Sequence, residues 1–266
     1  TNIGLDHEAL LGNTLEKIAF EKAGIIKPEI PVVIGSTQTE TEQIFKDTAK
    51  SLKAEIYFAD SEYKVLYAML DIDRNQLLRI EKNGNPIFPQ IKLDLAGMYQ
   101  QKNVLTVLKA IELMQQKGWK IEEKDISQGL AHTTSTTGLL GRWQTIGSNP
   151  LIICDTGHNK DGIQQILLQI KQTPHRNLHF VFGMVSDKEP EKILQLLPKN
   201  AHYYFTKASI PRSLNEIELA KKGKETGLNG QSYPNVNEAL TAAKSRATKE
   251  DLIFIVGSTF VVAEIL

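Results

Sequence analysis

Leu15, Ile18, Ala19 and Lys22 follow one another at helical spacing behind Asn13-Thr14, which predicts a short amphipathic helix over 14–23, ended by Gly24. The run Pro31-Val32-Val33-Ile34-Gly35 reads as a buried strand, and residues 39–52, with Ile44, Phe45, Ala49 and Leu52 apolar, as a second helix. Ile3 and Leu5 read as the tail of a strand already under way. This opening is an α/β alternation. From 55 to 95 the apolar runs are short (Ile56-Tyr57-Phe58, Val65-Leu66-Tyr67, Leu77-Leu78-Arg79-Ile80, Ile91-Lys92-Leu93) and broken by Asn83-Gly84-Asn85-Pro86, which predicts antiparallel hairpins. Residues 100–116 then carry Val104, Leu105, Val107, Leu108, Ile111 and Met114 on one broad face before Gly118, the pattern of a long buried helix, and another helix is expected over 122–131.

Residues 132–141 shift to Thr-Thr-Ser-Thr-Thr-Gly, which buries little and turns easily, so a linker and a domain boundary near 138 are expected. Beyond it, strands at 151–155, 178–183, 202–206 and 252–257 alternate with helical patterns. That order predicts an α/β domain with a mostly parallel, Rossmann-like sheet. Ligands of such sheets gather at the carboxyl ends of the strands, here Asp155-Thr156-Gly157-His158-Asn159, Gly183 to Asp187, Lys207 and Gly257-Ser258-Thr259.

Composition narrows the class. A chain of 266 residues suits two domains, and 41% hydrophobic with 23% charged residues is ordinary globular usage. Lys plus Arg and Asp plus Glu number 31 each, so no global field draws the chain to nucleic acid or an anionic membrane. Cys154 has no partner for an internal disulfide and sits in the apolar run 151–154, where a buried thiol in a reducing compartment is expected. No stretch has the length of a membrane span and the start is unlike a signal peptide, which reads as cytoplasmic.

Three groups of residues can carry chemistry. Asp6-His7 can present a carboxylate and an imidazole to a cation with Lys22 on the helix behind, or form a solvated turn beside a surface lysine. Arg142 ahead of a strand and Asp155 at a strand end can bracket a nucleotide, guanidinium on phosphate and carboxylate on ribose hydroxyls, or Arg142 can make a surface ion pair. Gly157 would let the backbone approach a ligand, and His158-Asn159 opens a helix whose amino end favours anions. Val256-Gly257-Ser258-Thr259 can hold a carboxylate with amides and hydroxyls, or be a plain helix cap. Asp187 and Lys188 can face substrate or be solvated loop charges.

In order along the chain, TNIGLDHxxxLGxTxxxIAxEKAGIIK from residue 1, Asn103 on its helix, GLLGRWQ from 138, DTGHN from 155 and VGSTFVVAE from 256 together resemble the folylpolyglutamate synthase/dihydrofolate synthase family of the Mur ligase superfamily. Family members often read Asp-Gly-Ala-His-Asn where this chain has Asp155-Thr156-Gly157-His158-Asn159. The resemblance implies that 1–138 is the C-terminal part of the central ATPase domain and 139–266 the Rossmann-like glutamate ligase domain. It implies an ATP-dependent ligase that adds L-glutamate to dihydropteroate or folates through an acyl phosphate, with ATP and Mg2+. By the family pattern His7 matches a magnesium ligand and Lys22 a lysine carboxylated to a carbamate, which burial of the amine would favour. Asn103, Arg142 and Asp155 match ATP contacts, and His158 and Ser258 match positions near glutamate or nucleotide. The family's phosphate loop, GxxGKGS in form, does not occur in the sequence, so the chain reads as a member lacking the N-terminal phosphate-loop part and inactive on its own. Expected partners are the small-molecule substrates, with no nucleic acid and no membrane, and a monomer is expected. A nucleotide-binding remnant or scaffold without catalysis is the alternative. A dinucleotide oxidoreductase lacks its GxGxxG after the first strand of the second domain.

Overall fold

The structure is a computed structural model that describes residues 3–5, 11–186 and 189–266. It divides into two compact units, Thr1–Gly138 and Leu139–Leu266.

In the first unit, α1 (Leu15–Ala23) starts where the Thr14 side chain accepts the Lys17 N–H at 3.3 Å, and α2 (Glu42–Ser51) starts three residues later than its apolar pattern predicts. Their apolar faces meet around Ile18, Ala19, Phe45 and Ala49, and Ile3 joins that core. Ile3 is not in a strand. The side-chain amide of Gln38 takes a strand's place, accepting the Ile3 N–H at 2.6 Å and donating to its carbonyl at 2.9 Å. β1 (Val32–Ile34) pairs in parallel with β2 (Ile56–Phe58), so Ile56-Tyr57-Phe58 belongs to the α/β layer rather than to a hairpin. The short α3 (Ala59–Glu62) leads into β3 (Tyr63–Leu70), β4 (Gln76–Lys82), β5 (Asn85–Pro86) and β6 (Ile91–Leu93), which pair antiparallel as the pattern predicts. Asn83 and Gly84 make the β4–β5 turn with φ of 49° and 82°, the backbone such a hairpin demands.

The long α4 (Gln100–Gln116) lays Val104, Leu105 and Leu108 against Leu78, Ile80 and Ile91, and Ile126 of α5 (Glu123–Ala131) closes that core. The threonine stretch is not an irregular linker: Thr133–Thr137 forms a short helix, α6, ended by Gly138 at φ 68°. Hydroxyls of Thr133 and Thr137 return to carbonyls of the preceding turn, which spares the segment an apolar face.

The second unit is built on a sheet of order β11-β10-β9-β12-β8-β7, from β7 (Gln144–Ser148), β8 (Leu151–Cys154), β9 (Leu178–Phe182), β10 (His202–Phe205), β11 (Asn229–Ser232) and β12 (Leu252–Val256). Every pairing is parallel except β7 with β8. The central strands β8, β9 and β12 are buried along their whole length, as unbroken apolar runs covered on both faces must be. The helices are α7 (Lys160–Gln172), α8 (Pro190–Leu194), α9 (Glu216–Glu225), α10 (Val236–Arg246) and α11 (Thr259–Ala263). Cys154 is buried, and burial pushes its thiol up to about 12, with Asp155 adding to the effect, so it is an inert core residue.

Candidate active site

The carboxyl ends of β8, β9, β10 and β12 lie at one edge of the second unit, and a hydrogen-bonded polar arrangement stands at the end of β8. Asp155 is 2% exposed and its two carboxylate oxygens serve two turns. Oδ2 accepts the backbone N–H of Trp143 at 2.8 Å, and Oδ1 accepts that of Gly157 at 2.8 Å. The turn carrying Arg142 is tied a second time where the Thr156 N–H reaches the Gly141 carbonyl at 3.0 Å, and a third time where the Gly141 N–H reaches Gln144 Oε1 at 2.7 Å. Gly141 (φ 71°) and Trp143 (φ 49°) both take left-handed backbone, which lifts half-buried Arg142 out of the strand direction. For a bulky residue such as Trp143 that conformation costs about 1–3 kcal/mol and persists only where neighbours over-determine it. Here the neighbours are the Asp155 carboxylate and the ring of Phe254, whose centroid lies 5.1 Å from that of Trp143.

His158 follows on the same turn, half-buried, with Nδ1 3.0 Å from the Thr156 carbonyl oxygen. Nδ1 therefore carries the proton when the ring is neutral, and Nε2 is an acceptor. Asn159 caps α7 by accepting the Gly162 N–H at 2.8 Å. Gly157 serves packing rather than ligand approach, since a Cβ there would stand 2.5 Å from Ile166 Cδ1. Ser258 is buried at the end of β12, and its hydroxyl accepts the Val261 N–H at 3.1 Å as the cap of α11. Lys207 lies beyond β10 with Nζ 2.9 Å from Glu216 Oε2, close enough for an ion pair but off-line for a hydrogen bond. Sequence reasoning missed Arg212, whose guanidinium lies over the ring of Phe260 at 4.8 Å, two residues beyond Ser258 in the chain.

In the first unit Asn103 is half-buried on the first turn of α4 and its side-chain amide donates to Gln100 Oε1 at 2.7 Å. It lines an apolar cavity of about 370 Å³ with Leu93, Val104, Val107 and Ile126. Gln76, a buried glutamine in β4, fixes the approach to this helix by donating to the carbonyls of Leu95 and Gly97 at 2.8 and 2.9 Å. Lys22 lies on the exposed side of α1, so the burial expected to favour a carbamate is not seen among the described residues. His7 and Asp6, together with Asp187 and Lys188, lie outside the described residues. Among the described residues no group of three His, Cys, Asp or Glu converges to hold a metal, and no helix is long and apolar enough to cross a membrane.

Residues 141–259 match the Mur ligase glutamate ligase domain. The chain has folylpolyglutamate and dihydrofolate synthases as its homologues. It is 29% identical over 269 residues to a probable bifunctional folylpolyglutamate synthase/dihydropteroate synthase of Haloferax volcanii, covering 99% of this chain and 31% of that protein. It is 26% identical over 268 residues to the folylpolyglutamate synthase of Lacticaseibacillus casei, covering all of this chain and 60% of the relative. Among solved structures, E. coli FolC in complex with DHPP and ADP superposes with a TM-score of 0.82 at 26% identity, covering 100% of this chain and 59% of FolC. The chain thus spans at most about 60% of the length of these relatives. Within the matched segment the Arg142 and His158 turns share one buried carboxylate at the carboxyl edge of the sheet.

Proposed function

We propose that this chain supplies the adenosine- and glutamate-facing part of an ATP-dependent ligase that adds L-glutamate to dihydropteroate or to folates. The observation that carries the reading is the Arg142 turn, whose strained backbone is tied by a buried carboxylate to the turn of His158, in a segment that matches the Mur ligase glutamate ligase domain. In the reaction a pterin-linked carboxylate attacks the γ-phosphorus of ATP, ADP leaves, and the acyl phosphate that forms is attacked at carbon by the glutamate amine. The amide forms, phosphate departs and the amine loses a proton. Negative charge on the phosphoryl oxygens is the chief barrier, so a positioned cation is the main requirement. Arg142 meets it with a planar guanidinium suited to two phosphate oxygens. Asn103 presents an amide beside an apolar cavity that suits a planar base. His158 Nε2, an acceptor, is suited to bind the incoming ammonium or take its proton. Ser258 stabilises the α11 end of the same rim.

Magnesium would be held by His7 and by Lys22 as its carbamate, and would supply charge neutralisation at the phosphates. Residues 1–138 are read as the C-terminal part of the ATPase domain, working in the cytoplasm as a monomer. The test is the full-length gene product assayed for ADP release with ATP, L-glutamate and either dihydropteroate or a folate. Release that requires both glutamate and the pterin acid is expected. ATP turnover indifferent to glutamate, or adenine-nucleotide binding without turnover, would replace the ligase with a nucleotide-binding scaffold.

A further inference from the structure

The sequence contains two Asn-Gly pairs, Asn83-Gly84 and Asn229-Gly230, and the fold treats them oppositely although both asparagines are exposed. Asn83 and Gly84 form the tip of the β4–β5 hairpin, and the arm that closes it, β5, is two exposed residues long, Asn85 and Pro86. Pro86 has no N–H to add to the ladder, and a Cβ built on Gly84 meets nothing within 4 Å. Asn229-Gly230 instead lies inside β11, with Asn229 facing His202 and Gly230 facing Tyr203 of β10. A Cβ on Gly230 would stand 2.3 Å from the Tyr203 carbonyl oxygen, so this backbone is pressed against its neighbour. The strand is pinned on both sides: the buried Leu228 donates its N–H to the Gly223 carbonyl at 2.9 Å, and Tyr233 donates to that of Phe205 at 2.8 Å. Rotating Asn229 therefore means unpairing β11.

We propose that Asn83 is a site of spontaneous deamidation and isoaspartate formation in the folded protein, while Asn229 is protected from the same reaction by its strand. The Gly84 backbone nitrogen attacks the carbonyl carbon of the Asn83 side chain and gives up its proton. The side-chain carbon–nitrogen bond breaks, and ammonia leaves with that proton. The cyclic imide left behind takes up one water. Opening at the side-chain carbonyl gives aspartate, and opening at the main-chain carbonyl gives isoaspartate. Glycine at 84 makes the attacking nitrogen unhindered. Ring closure requires the Asn83 backbone to leave its turn, so the rate follows the cost of local opening, which is lowest at an exposed tip with a short arm.

Either product places an anion on the tip, and isoaspartate also lengthens the main chain there by a carbon. The Asn83 N–H donates to the Glu62 carbonyl at 2.8 Å, and the Glu62 carboxylate lies 2.9 Å from Lys109 Nζ. The modification thus falls next to the ion-pair cluster that ties α4 to the hairpin sheet.

Peptide mapping by mass spectrometry of the full-length gene product, kept folded in mildly alkaline buffer, reads both sites in one sample. Aspartate and isoaspartate are expected at residue 83 at least about ten-fold faster than at residue 229, the equivalent of an opening cheaper by about 1.4 kcal/mol. In denaturing urea the two pairs should convert at similar rates. Asn83→Gly, which suits a left-handed turn, should remove the early acidic species on ion exchange, and Asn229→Gly should leave it. The wild-type map decides by itself if a variant fails to fold. Equal conversion at the two sites in the folded protein would overturn the proposal. So would an Asn83 that stays intact in the folded protein while the unfolded chain converts. A preference for residue 83 that persists undiminished in urea would assign it to flanking residues and overturn the role of the fold.

Discussion

A Cβ placed on Gly257 would overlap the carbonyl oxygen of Gly183, so the ends of β12 and β9 approach more closely than any side chain at position 257 allows. Gly257 also has φ 121°, outside the range of ordinary L residues. Gly257→Ala is therefore expected to cost about 3 kcal/mol or more, strain and overlap together. Gly118→Ala is the control, since that position also has positive φ (93°) but open space around it, and should cost only about 1 kcal/mol. Thermal unfolding of the two variants side by side measures the difference.

Lys109 of α4 is 3% exposed, with Nζ 2.9 Å from Glu62 Oε1, 3.5 Å from Glu112 Oε2 and 4.3 Å from the Tyr57 ring centroid. Glu112 also takes the Tyr63 hydroxyl at 2.6 Å and pairs with Lys82 at 2.8 Å. Removing the central cation leaves two carboxylates facing a half-closed interior. Lys109→Ala should cost about 3 kcal/mol in chemical denaturation. Lys109→Met combined with Glu62→Gln should recover more than half of that, because the unpaired charge matters more than the lost pair. An equal loss in both variants would instead assign the effect to packing.

Much of this architecture is legible in the sequence because apolar periodicity reports burial. The unbroken runs of β8, β9 and β12 and the broad face of α4 are of that kind. β11 is not legible, since Asn229–Ser232 holds no apolar residue and forms only because its backbone pairs with β10 at the sheet edge. β2 reads as a hairpin strand because three apolar residues carry no sign of parallel or antiparallel pairing; its partner β1 lies 24 residues back, Val32 facing Ile56. In the site, residue types announce Arg142, Asp155 and His158. Nothing in the sequence tells that a tryptophan adopts left-handed backbone, or that the Asp155 oxygens turn toward amides, because both follow from tertiary packing.

The amino ends of the same strands carry a buried polar cluster with an acid-side consequence. His179, 1% exposed, has Nδ1 3.0 Å from the Tyr204 hydroxyl and Nε2 3.5 Å from Asp251 Oδ2. Burial lowers the imidazole below its ordinary range, the neighbouring His202 lowers it further, and Asp251 opposes both. Burial alone would raise Asp251, but N–H donors of Thr248 and Asn177 outweigh it and hold the carboxyl at about 2. A histidine lowered in the folded state binds fewer protons than the unfolded chain, so its contribution to stability falls as pH drops below about 6.5 toward the folded value. The Asp251 contribution is complete above about 4 and is lost between there and about 2. Urea unfolding should therefore show stability declining from pH 7 to pH 5.5, and His179→Gln should flatten that slope. A slope unchanged in His179→Gln would place the titration elsewhere.

Lys22 stands on the exposed side of α1, in its last turn, where dissolved carbon dioxide can reach the amine. Carbamate formation takes one proton from the ammonium to free the amine, joins its nitrogen to the carbon of carbon dioxide and releases a second proton, exchanging a cation for an anion at the place proposed for magnesium. Lys22→Ala should then lower glutamate-dependent ATP turnover on the order of a hundred-fold or more, the scale of losing a charged group that acts at the phosphoryl centre. The wild-type protein in buffer stripped of carbon dioxide should lose activity and regain it on adding bicarbonate. Lys22→Ala should respond to neither change. Full activity in Lys22→Ala would remove the carbamate role, and a bicarbonate response in that variant would assign the effect to another amine.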